Sequence, residues 1–340
     1  MQPLSAKQKT LRLAATVAAA ALLSLNSHAY AAPQGGTTTE GTATLSTGAN
    51  TTIVTQTTDR ATIDWQSFNL SQNESVEFIV PTSTSATLNR ILDSRPSTIS
   101  GSITSNGVVY FSNPNGLIFD ATSSVIANGI TATAGTITVN GSLQATGGNI
   151  LISSTNLTTI GSSANISVDA LATGNGGRAI IWSDKRTDFH GYISARGGTT
   201  SGDGGFVEVS GKITLNYNGQ VNTLAPHGKT GTLLLDPTDI TISTGTNSDA
   251  VSNGTFSANT ATSIVNTTTL QTALGTSNVT IDATAGTGTG SGLITVADPI
   301  LEATSVTNSL TLKGGQIIIN ANITMASGAN LTLNATRASV

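Results

Sequence analysis

The side chains best suited to chemistry lie near the middle of the chain. Four polar residues alternate there with other side chains: Asp184, Arg186, Asp188 and His190. In a β-strand this spacing places all four on the same face. Grouped carboxylates beside an arginine or a calcium ion could assist the cleavage of a polysaccharide. No second carboxylate group stands at a matching position in the neighbouring repeats, so a solvated outer face is the simpler interpretation. We therefore predict no catalytic residue.

The sequence offers few candidate residues for nucleophilic catalysis or for metal binding. The chain has 0 cysteines, which excludes a thiol nucleophile and disulfide bonds. Asp203 lies among glycines, as calcium-binding aspartates do in some repeat proteins. The glycine-rich nonapeptide that binds calcium in those proteins does not occur in the sequence. We predict neither a metal site nor a cofactor.

Residues 1–31 have the pattern of an export signal. Lys7, Lys9 and Arg12 precede an apolar run over residues 13–25. Removing these three cations changes the formal net charge from −4 to −7, which disfavours nucleic acid as a partner. No later run approaches the roughly 20 apolar residues of a membrane-spanning helix. The sequence thus predicts an exported protein without a retained membrane span.

The composition favours strands over helices. Only 9% of the residues are charged, 4% are aromatic and 36 residues are glycine. Glycine, threonine and asparagine suit turns and strand surfaces, and few segments show helical periodicity. The apolar fraction of 37% still provides a core. We predict an all-β protein of many short strands.

A strongly specified turn lies within residues 107–119. β-Branched and aromatic residues on both sides predict two strands. Between them, Pro114 favours the second position of a β-turn, while Asn115 and Gly116 tolerate the left-handed backbone that closes it. The sequence therefore predicts a strand, a turn and a second strand in immediate succession.

A repeated template follows this turn. Two glycines, an apolar strand and a serine begin at Gly147, Gly176 and Gly204, with a weaker copy at Gly231. The period of 28 or 29 residues contains at least two strands, because a second template runs out of step with the first. Short strands, glycine corners and the lack of a helix between strands favour a right-handed parallel β-helix. A β-propeller fits less well, because each of its blades is longer than this period and contains four strands.

Large rings near the start of the folded region can cover the first layer of such a stack. Trp65, Phe68 and Phe78 predict an N-terminal β cap. The periodicity loosens after residue 236 and returns near residue 293. We divide the chain into four parts: an export signal (1–31), a capped domain with the first coils (32–145), further β-helix repeats (146–240) and a β-rich repeat region expected to continue in a longer protein (241–340).

Several segments resemble one family in the order in which that family has them. They are residues 63–68, 76–78, 88–91, 97–101, 106–107 and 113–119. Together they resemble the secretion domain of filamentous haemagglutinin-like proteins, the exported partners of two-partner secretion systems in Gram-negative bacteria. Residues 193–198, 202–211 and 231–237 are similar to the stretch that follows this domain in large family adhesins.

The resemblance implies a β-helix without catalytic activity that an outer-membrane pore with periplasmic POTRA domains recognises during export. The implied secretion-motif residues are Asn89, Arg90, Asn113, Pro114, Asn115 and Gly116. The expected product is an adhesin-like exoprotein, secreted or held at the cell surface, with a host-cell or surface glycan as a possible receptor. The alternative is a secreted β-helical polysaccharide lyase or hydrolase.

Overall fold

The computed structural model describes residues 32–245, 263–284, 291–301 and 307–336. The predicted export signal, residues 1–31, lies outside this part of the chain. No helix among the described residues combines the length and apolar character needed to cross a membrane.

The described chain forms a parallel β-helix of about 11 turns, which confirms the predicted fold class. Each regular coil contributes strands to three faces, called A, B and C. Faces A and B are continuous because two long strands, β12 (Gly129–Val139) and β14 (Asn149–Ile160), pass through both.

Face A is one parallel ladder in chain order. Besides β12 and β14 it contains β4 (Arg60–Trp65), β6 (Ala86–Ile91), β9 (Val108–Asn113), β16 (Arg178–Ser183), β19 (Phe206–Gly211), β22 (Thr232–Pro237), β25 (Asn278–Asp282), β28 (Leu310–Gly314) and β31 (Leu331–Ala335).

Face B follows face A around each coil. Besides the second halves of β12 and β14 it contains, in spatial order, β7 (Ser97–Ile99), β10 (Leu117–Phe119), β17 (Arg186–Phe189), β20 (Thr214–Tyr217), β24 (Ser263–Asn266), β23 (Ile240–Ser243), β26 (Leu293–Val296) and β29 (Gln316–Ile319).

Face C closes each coil with short strands. It contains β3 (Thr51–Gln56), β5 (Ser75–Ile79), β8 (Ser102–Ser105), β11 (Ser124–Ile126), β13 (Ser142–Gln144), β15 (Asn165–Ser167), β18 (Tyr192–Ser194) and β21 (Gln220–Asn222). Further along the chain, β27 (Ile300–Leu301) pairs with β30 (Ile323–Thr324).

The predicted N-terminal cap is present and is built from antiparallel strands. β1 (Thr37–Glu40) pairs with β4, and β2 (Ala43–Thr47) pairs with β3. Beneath them Trp65, Phe68 and Phe78 are at most 1% exposed. The antiparallel strands cover the first coil, so its parallel strands do not present a free apolar layer.

The core follows from the alternation of side chains along each strand. On face A, one column of inward residues runs in register through six strands and is buried throughout: Ile152, Ile181, Val209, Leu235, Ile281 and Leu312. Full burial of each such aliphatic side chain contributes roughly 1.5–3 kcal/mol.

The predicted period of 28 or 29 residues holds for part of the helix. Face A strands begin at residues 86, 108, 129 and 149, then at 178, 206 and 232. The early coils are therefore shorter, and the later ones lengthen in the loop between faces C and A. The paired glycines mark this loop: a Cβ at Gly177 would lie 2.0 Å from the Gly148 oxygen, and one at Gly205 would lie 2.1 Å from the Gly177 oxygen. Successive coils approach too closely there for a side chain.

The expectation that no helix lies between strands is wrong for one segment. Helix α1 (Thr267–Leu274) replaces a face C strand and packs between β21 and β27. The Asn266 side chain accepts a hydrogen bond from the Thr268 N–H and caps its first turn. Leu270 and Leu274, four residues apart, are both buried, which is the helical spacing of an apolar face.

The strand ladder also bears on the proposed division of the chain. β12 and β14 pair across residue 145, and β22 pairs with β25 across residue 240. The boundaries at these positions remain a prediction about sequence regions, within one continuous ladder.

Candidate functional site

The turn predicted at residues 113–116 joins β9 to β10 at a corner of the coil. Its closing hydrogen bond runs from the Gly116 N–H to the Asn113 carbonyl oxygen at 3.1 Å, with Pro114 in the second position. Gly116 has a φ of 131°, a value that residues with a side chain rarely adopt. The turn forms as its sequence predicts.

Asn113 is fully buried, and both polar atoms of its side chain are used. Its Nδ2 donates to the Arg95 carbonyl oxygen at 3.2 Å and to Ser97 Oγ at 3.0 Å. Its Oδ1 accepts from the Asn115 N–H at 3.0 Å. Because Arg95 and Ser97 belong to the preceding coil, this one amide fastens two consecutive coils at their corners.

Asn115 and Pro114 are exposed, yet both hold neighbouring coils. Asn115 Nδ2 donates to the Asp93 carbonyl oxygen at 2.7 Å on the preceding coil. The Pro114 carbonyl oxygen accepts from the Gly135 N–H at 3.0 Å on the following coil. The turn is therefore hydrogen-bonded to the corners on both sides.

Asn89 lies inside the β-helix, next to the aromatic cluster under the cap. It is 0% exposed, and its Oδ1 accepts from Trp65 Nε1 at 3.0 Å. Its Nδ2 donates to the Tyr110 carbonyl oxygen at 3.2 Å. The side chain satisfies the one polar atom of the buried indole, which would otherwise be unpaired in the core.

Arg90 points to the opposite side and lies at the surface. Its Nε and Nη2 donate to the two carboxylate oxygens of Asp64, each at 2.7 Å. The hydrogen bonds from Arg90 hold the pKa of Asp64 below its ordinary value. Since half of the Arg90 side chain is exposed, water and salt screen this pair, and its contribution to stability is small.

The structure brings the six predicted residues together on two consecutive coils. β6 and β9 pair in register, with Asn89 opposite Phe111 and Arg90 opposite Ser112. The turn follows one residue later. We call this group, Asn89, Arg90 and residues 113–116, the asparagine corner.

The polar cluster at 184–190 is arranged differently from the expected solvated face. β17 begins at Arg186, whose side chain is 8% exposed, and its Nε donates to Asp188 Oδ1 at 2.8 Å. Asp184 lies in the preceding turn, where it accepts from Trp182 Nε1 at 3.1 Å. His190 is exposed beyond the end of the strand. Arg186 lies opposite Leu157 and Thr214 on the two neighbouring coils, and Asp188 provides its counter-charge.

Asp203 serves as a structural acceptor. Its Oδ1 accepts from the Lys229 N–H at 2.8 Å, and its own N–H donates to Asn175 Oδ1 at 2.8 Å. These bonds link the long loops of successive coils. Across the described ranges, no group of three or more His, Asp or Glu residues is arranged to hold a metal ion.

Sequence reasoning does not single out Asp64 and Trp65 as partners of this corner. They lie 26 and 24 residues before Arg90 and Asn89, which is one coil earlier. A search for polar residues separated by one coil length could have found both.

Comparisons with known proteins agree on the family. The model of the TPS secretion domain matches residues 29–339. Two curated relatives from Haemophilus influenzae, one of them from strain Rd, are both named heme/hemopexin-binding protein. They are 40% identical over 101 residues and 37% identical over 102 residues. Each match covers 30% of this chain and 11% of the relative, so the chain matches about a tenth of these relatives' length.

A solved structure shows the same fold. The crystal structure of the HMW1 secretion domain from Haemophilus influenzae matches with a TM-score of 0.50 over 89% of this chain and 100% of that one. The two sequences are 19% identical over the match, and at that level the likeness concerns the fold. The family model matches most of the length of this chain. The chain therefore belongs to the TPS secretion domain family and forms the secretion domain of a two-partner secreted exoprotein.

Proposed function

We propose that the asparagine corner is the part of this secretion domain that the partner pore recognises, and that recognition takes place before the corner folds. The recognising part is the periplasmic POTRA region of an outer-membrane pore, which the chain reaches after Sec-type export. Export through a partner pore follows from the family. We propose further which residues the pore contacts, and that it contacts them while the chain is unfolded.

The burial of Asn113 carries this proposal. In the folded domain its side chain is 0% exposed, and both amide atoms already have partners. Asn89 is buried in the same way. A receptor could therefore contact these two amides only in the unfolded chain, where they are free to bond.

The fold supplies a reason for transport to proceed outward. An unfolded segment with free backbone groups can add a strand to a receptor domain by β-augmentation. Once the segment has crossed, the same backbone groups pair within faces A, B and C. The asparagine corner and the aromatic cap then fix the first coils, and each completed coil offers an edge to the next. Folding outside the cell thus opposes return of the chain.

The test is export of the full chain from cells with and without the partner pore, comparing wild type with Asn113→Ala and Asn115→Ala. The matched control is Asn128→Ala. Like Asn115, Asn128 is an exposed corner asparagine, so it is the control for Asn115→Ala. Its Nδ2 donates to the carbonyl oxygens of Asn106 at 2.8 Å and Ser83 at 3.3 Å on earlier coils. The control loses similar hydrogen bonds outside the asparagine corner.

We expect pore-dependent export of wild type and Asn128→Ala, and a large loss of export for both corner variants. Equal export of all four chains would refute the proposed role of the corner. Equal loss in Asn128→Ala would assign the effect to stability rather than recognition.

The receptor of the complete exoprotein is a separate proposal. The matched relatives extend far beyond the part that this chain matches, so we place binding to a host cell or surface glycan in the longer exoprotein and give this domain an export role without catalysis. A glycan array probed with the folded chain is expected to show no saturable binding. Saturable binding, or cleavage of a polysaccharide that Asp188→Asn abolishes, would contradict this assignment.

A further inference from the structure

The order of strands on face B is inverted at one place among the described strands. β24 follows β23 in the chain, but it lies between β20 and β23 in the sheet. Asn216 of β20 is opposite Ile264 of β24, and Ile264 is opposite Thr241 of β23. The strand that arrives later thus occupies the earlier position.

The corner before β23 has the length that normally leads to that earlier position. Two residues join β16 to β17, and two join β19 to β20; in both cases the two strands pair with the same preceding coil. Two residues, Thr238 and Asp239, also join β22 to β23. β22 pairs with β19, so by the same geometry β23 would pair with β20.

The corners themselves remain stacked in chain order. Thr238 Oγ1 donates to the Lys212 carbonyl oxygen in the preceding corner. On the other side, Asp239 Oδ1 accepts from the Leu293 N–H at 2.7 Å at the start of β26. β24 begins beside this corner, where the Ser263 N–H donates to the Asp239 carbonyl oxygen at 3.3 Å. The inversion is therefore confined to face B.

Both strands have the side-chain pattern that the position beside β20 requires. The inward residues are Ile240 and Ile242 in β23, and Ser263 and Val265 in β24; all four are buried. Before β24 arrives, β23 can therefore cover the edge of β20 with two larger apolar side chains. β23 is also expected to reach that edge first, because only two residues separate it from β22 and a shorter loop closes at a lower entropic cost.

We propose that folding passes through an intermediate in which β23 pairs with β20, and that β24 later inserts between them and moves β23 by one strand position. Docking of α1 completes the exchange, because α1 follows β24 directly. The Asn308 side chain then donates to the Leu274 carbonyl oxygen at 2.7 Å, and Thr276 Oγ1 donates to the Val221 carbonyl oxygen at 2.6 Å.

Cysteine pairs can test this order, because the chain has 0 cysteines of its own. The pair Asn216→Cys with Thr241→Cys reports the intermediate: in the native sheet one strand separates these positions, about 10 Å at two strand spacings, which is too far for a disulfide. The pair Asn216→Cys with Ile264→Cys reports the native order. The control is Thr138→Cys with Thr159→Cys, which are opposite each other on neighbouring strands away from the inversion.

The full chain is unfolded and reduced, diluted to refold, and oxidised by a short pulse at increasing times. Free thiols are then alkylated, and the intact mass counts the disulfides. We expect the 216–241 disulfide to rise several-fold above its native level and then fall, while the 216–264 disulfide appears after a lag. The proposal is wrong if the 216–241 disulfide never exceeds its native level, or if the 216–264 disulfide forms as early as the control. Circular dichroism of the reduced variants verifies that each reaches the native fold.

Discussion

Buried aromatic rings occur in two parts of the β-helix. The polar atom of the buried ring has a hydrogen-bond partner in the first part and none among the described residues in the second. Under the cap, Trp65 and Phe68 meet edge-on at 5.3 Å between ring centroids, and Asn89 accepts the indole N–H. Farther along, Phe189 and Tyr217 stack at 5.3 Å. The buried Tyr217 hydroxyl has no hydrogen-bond partner in the described part of the chain, and burial raises its pKa.

This difference follows the positions of the two groups in the fold. The cap cluster closes the first coil and lies against the asparagine corner, where every buried amide is paired. Tyr217 belongs to β20, the strand beside which β24 is inserted. In the first region the buried polar groups are paired and favour one arrangement, whereas in the second region a buried hydroxyl has no partner among the described residues.

The largest expected effect comes from removing a ring of the cap cluster. The centroid of the Phe111 ring lies 5.6 Å from that of Phe68 and 6.2 Å from that of Phe119, and Phe111 is 1% exposed. Phe111→Ala is expected to lower the free energy of unfolding by about 3–5 kcal/mol, measured by denaturant titration. The adjacent Tyr110 is 38% exposed, so Tyr110→Ala should cost clearly less. Equal losses would show that the cluster adds no special stability.

The next effect tests the paired indole. Asn89→Ala leaves the Trp65 N–H unsatisfied in the core and is expected to cost about 1–3 kcal/mol. In a Trp65→Phe background that donor no longer exists, so the same substitution should cost less there. An identical cost in both backgrounds would mean that the hydrogen bond does not explain the effect of Asn89.

The opposite sign is expected at the second ring pair. Tyr217→Phe removes the unpaired hydroxyl while keeping the stacked ring, and it should raise the free energy of unfolding by about 1 kcal/mol. Tyr192→Phe is the control, because Tyr192 is partly exposed and its hydroxyl can bond to water. A destabilised Tyr217→Phe chain would reveal that the hydroxyl is paired in solution.

The last comparison uses the pH dependence of stability and sets an aspartate of one region against an aspartate of the other. Burial, and then the charges of Asp282 and Glu208, raise the pKa of Asp236 from 3.8 to about 7, while Lys313 opposes the shift. Between about pH 4 and 7 the folded form holds this proton more tightly than the unfolded form, so stability falls as pH rises and levels off above pH 7. Asp236→Asn should flatten this fall in denaturant titrations.

Asp64 should respond in the opposite direction. Its pKa is lowered by Arg90, so the stability that it contributes is present above its unfolded pKa near 3.8 and is lost on further acidification. Asp64→Asn should therefore change the acid side of the profile. If both variants altered the same pH range, the two environments would not differ as described.

Periodicity and turn chemistry were sufficient to predict much of this fold. The glycine template predicted the coils after residue 147, because glycine is required wherever neighbouring coils touch through their backbones. Trp65, Phe68 and Phe78 predicted the cap, because large rings near the start of the fold can cover the first layer of the stack. Pro114, Asn115 and Gly116 predicted a turn that depends on local geometry.

The remaining features depend on contacts between distant residues. The inverted position of β24 depends on its pairing with β20 and β23, and its short alternating pattern resembles that of β23. Helix α1 has one apolar face and an asparagine cap. These features predict a helix only weakly in a segment rich in threonine, which favours strands. Arg186 is buried although alternation with the inward Thr187 and Phe189 places it on the outward face, so strand periodicity alone does not predict its burial. The pairing of Asn89 with Trp65 required knowledge of the coil length.

Binding of the partner's periplasmic domains to the unfolded chain tests the central claim most directly. The chain is held unfolded at a denaturant concentration above its own unfolding midpoint and below that of the periplasmic domains. Binding is measured by titration calorimetry for wild type, for Asn113→Ala with Asn115→Ala, and for Asn128→Ala. We predict that the corner variant loses at least tenfold in affinity, about 1.4 kcal/mol, while Asn128→Ala binds as wild type does. Equal affinity of all three chains would contradict recognition of the asparagine corner before folding.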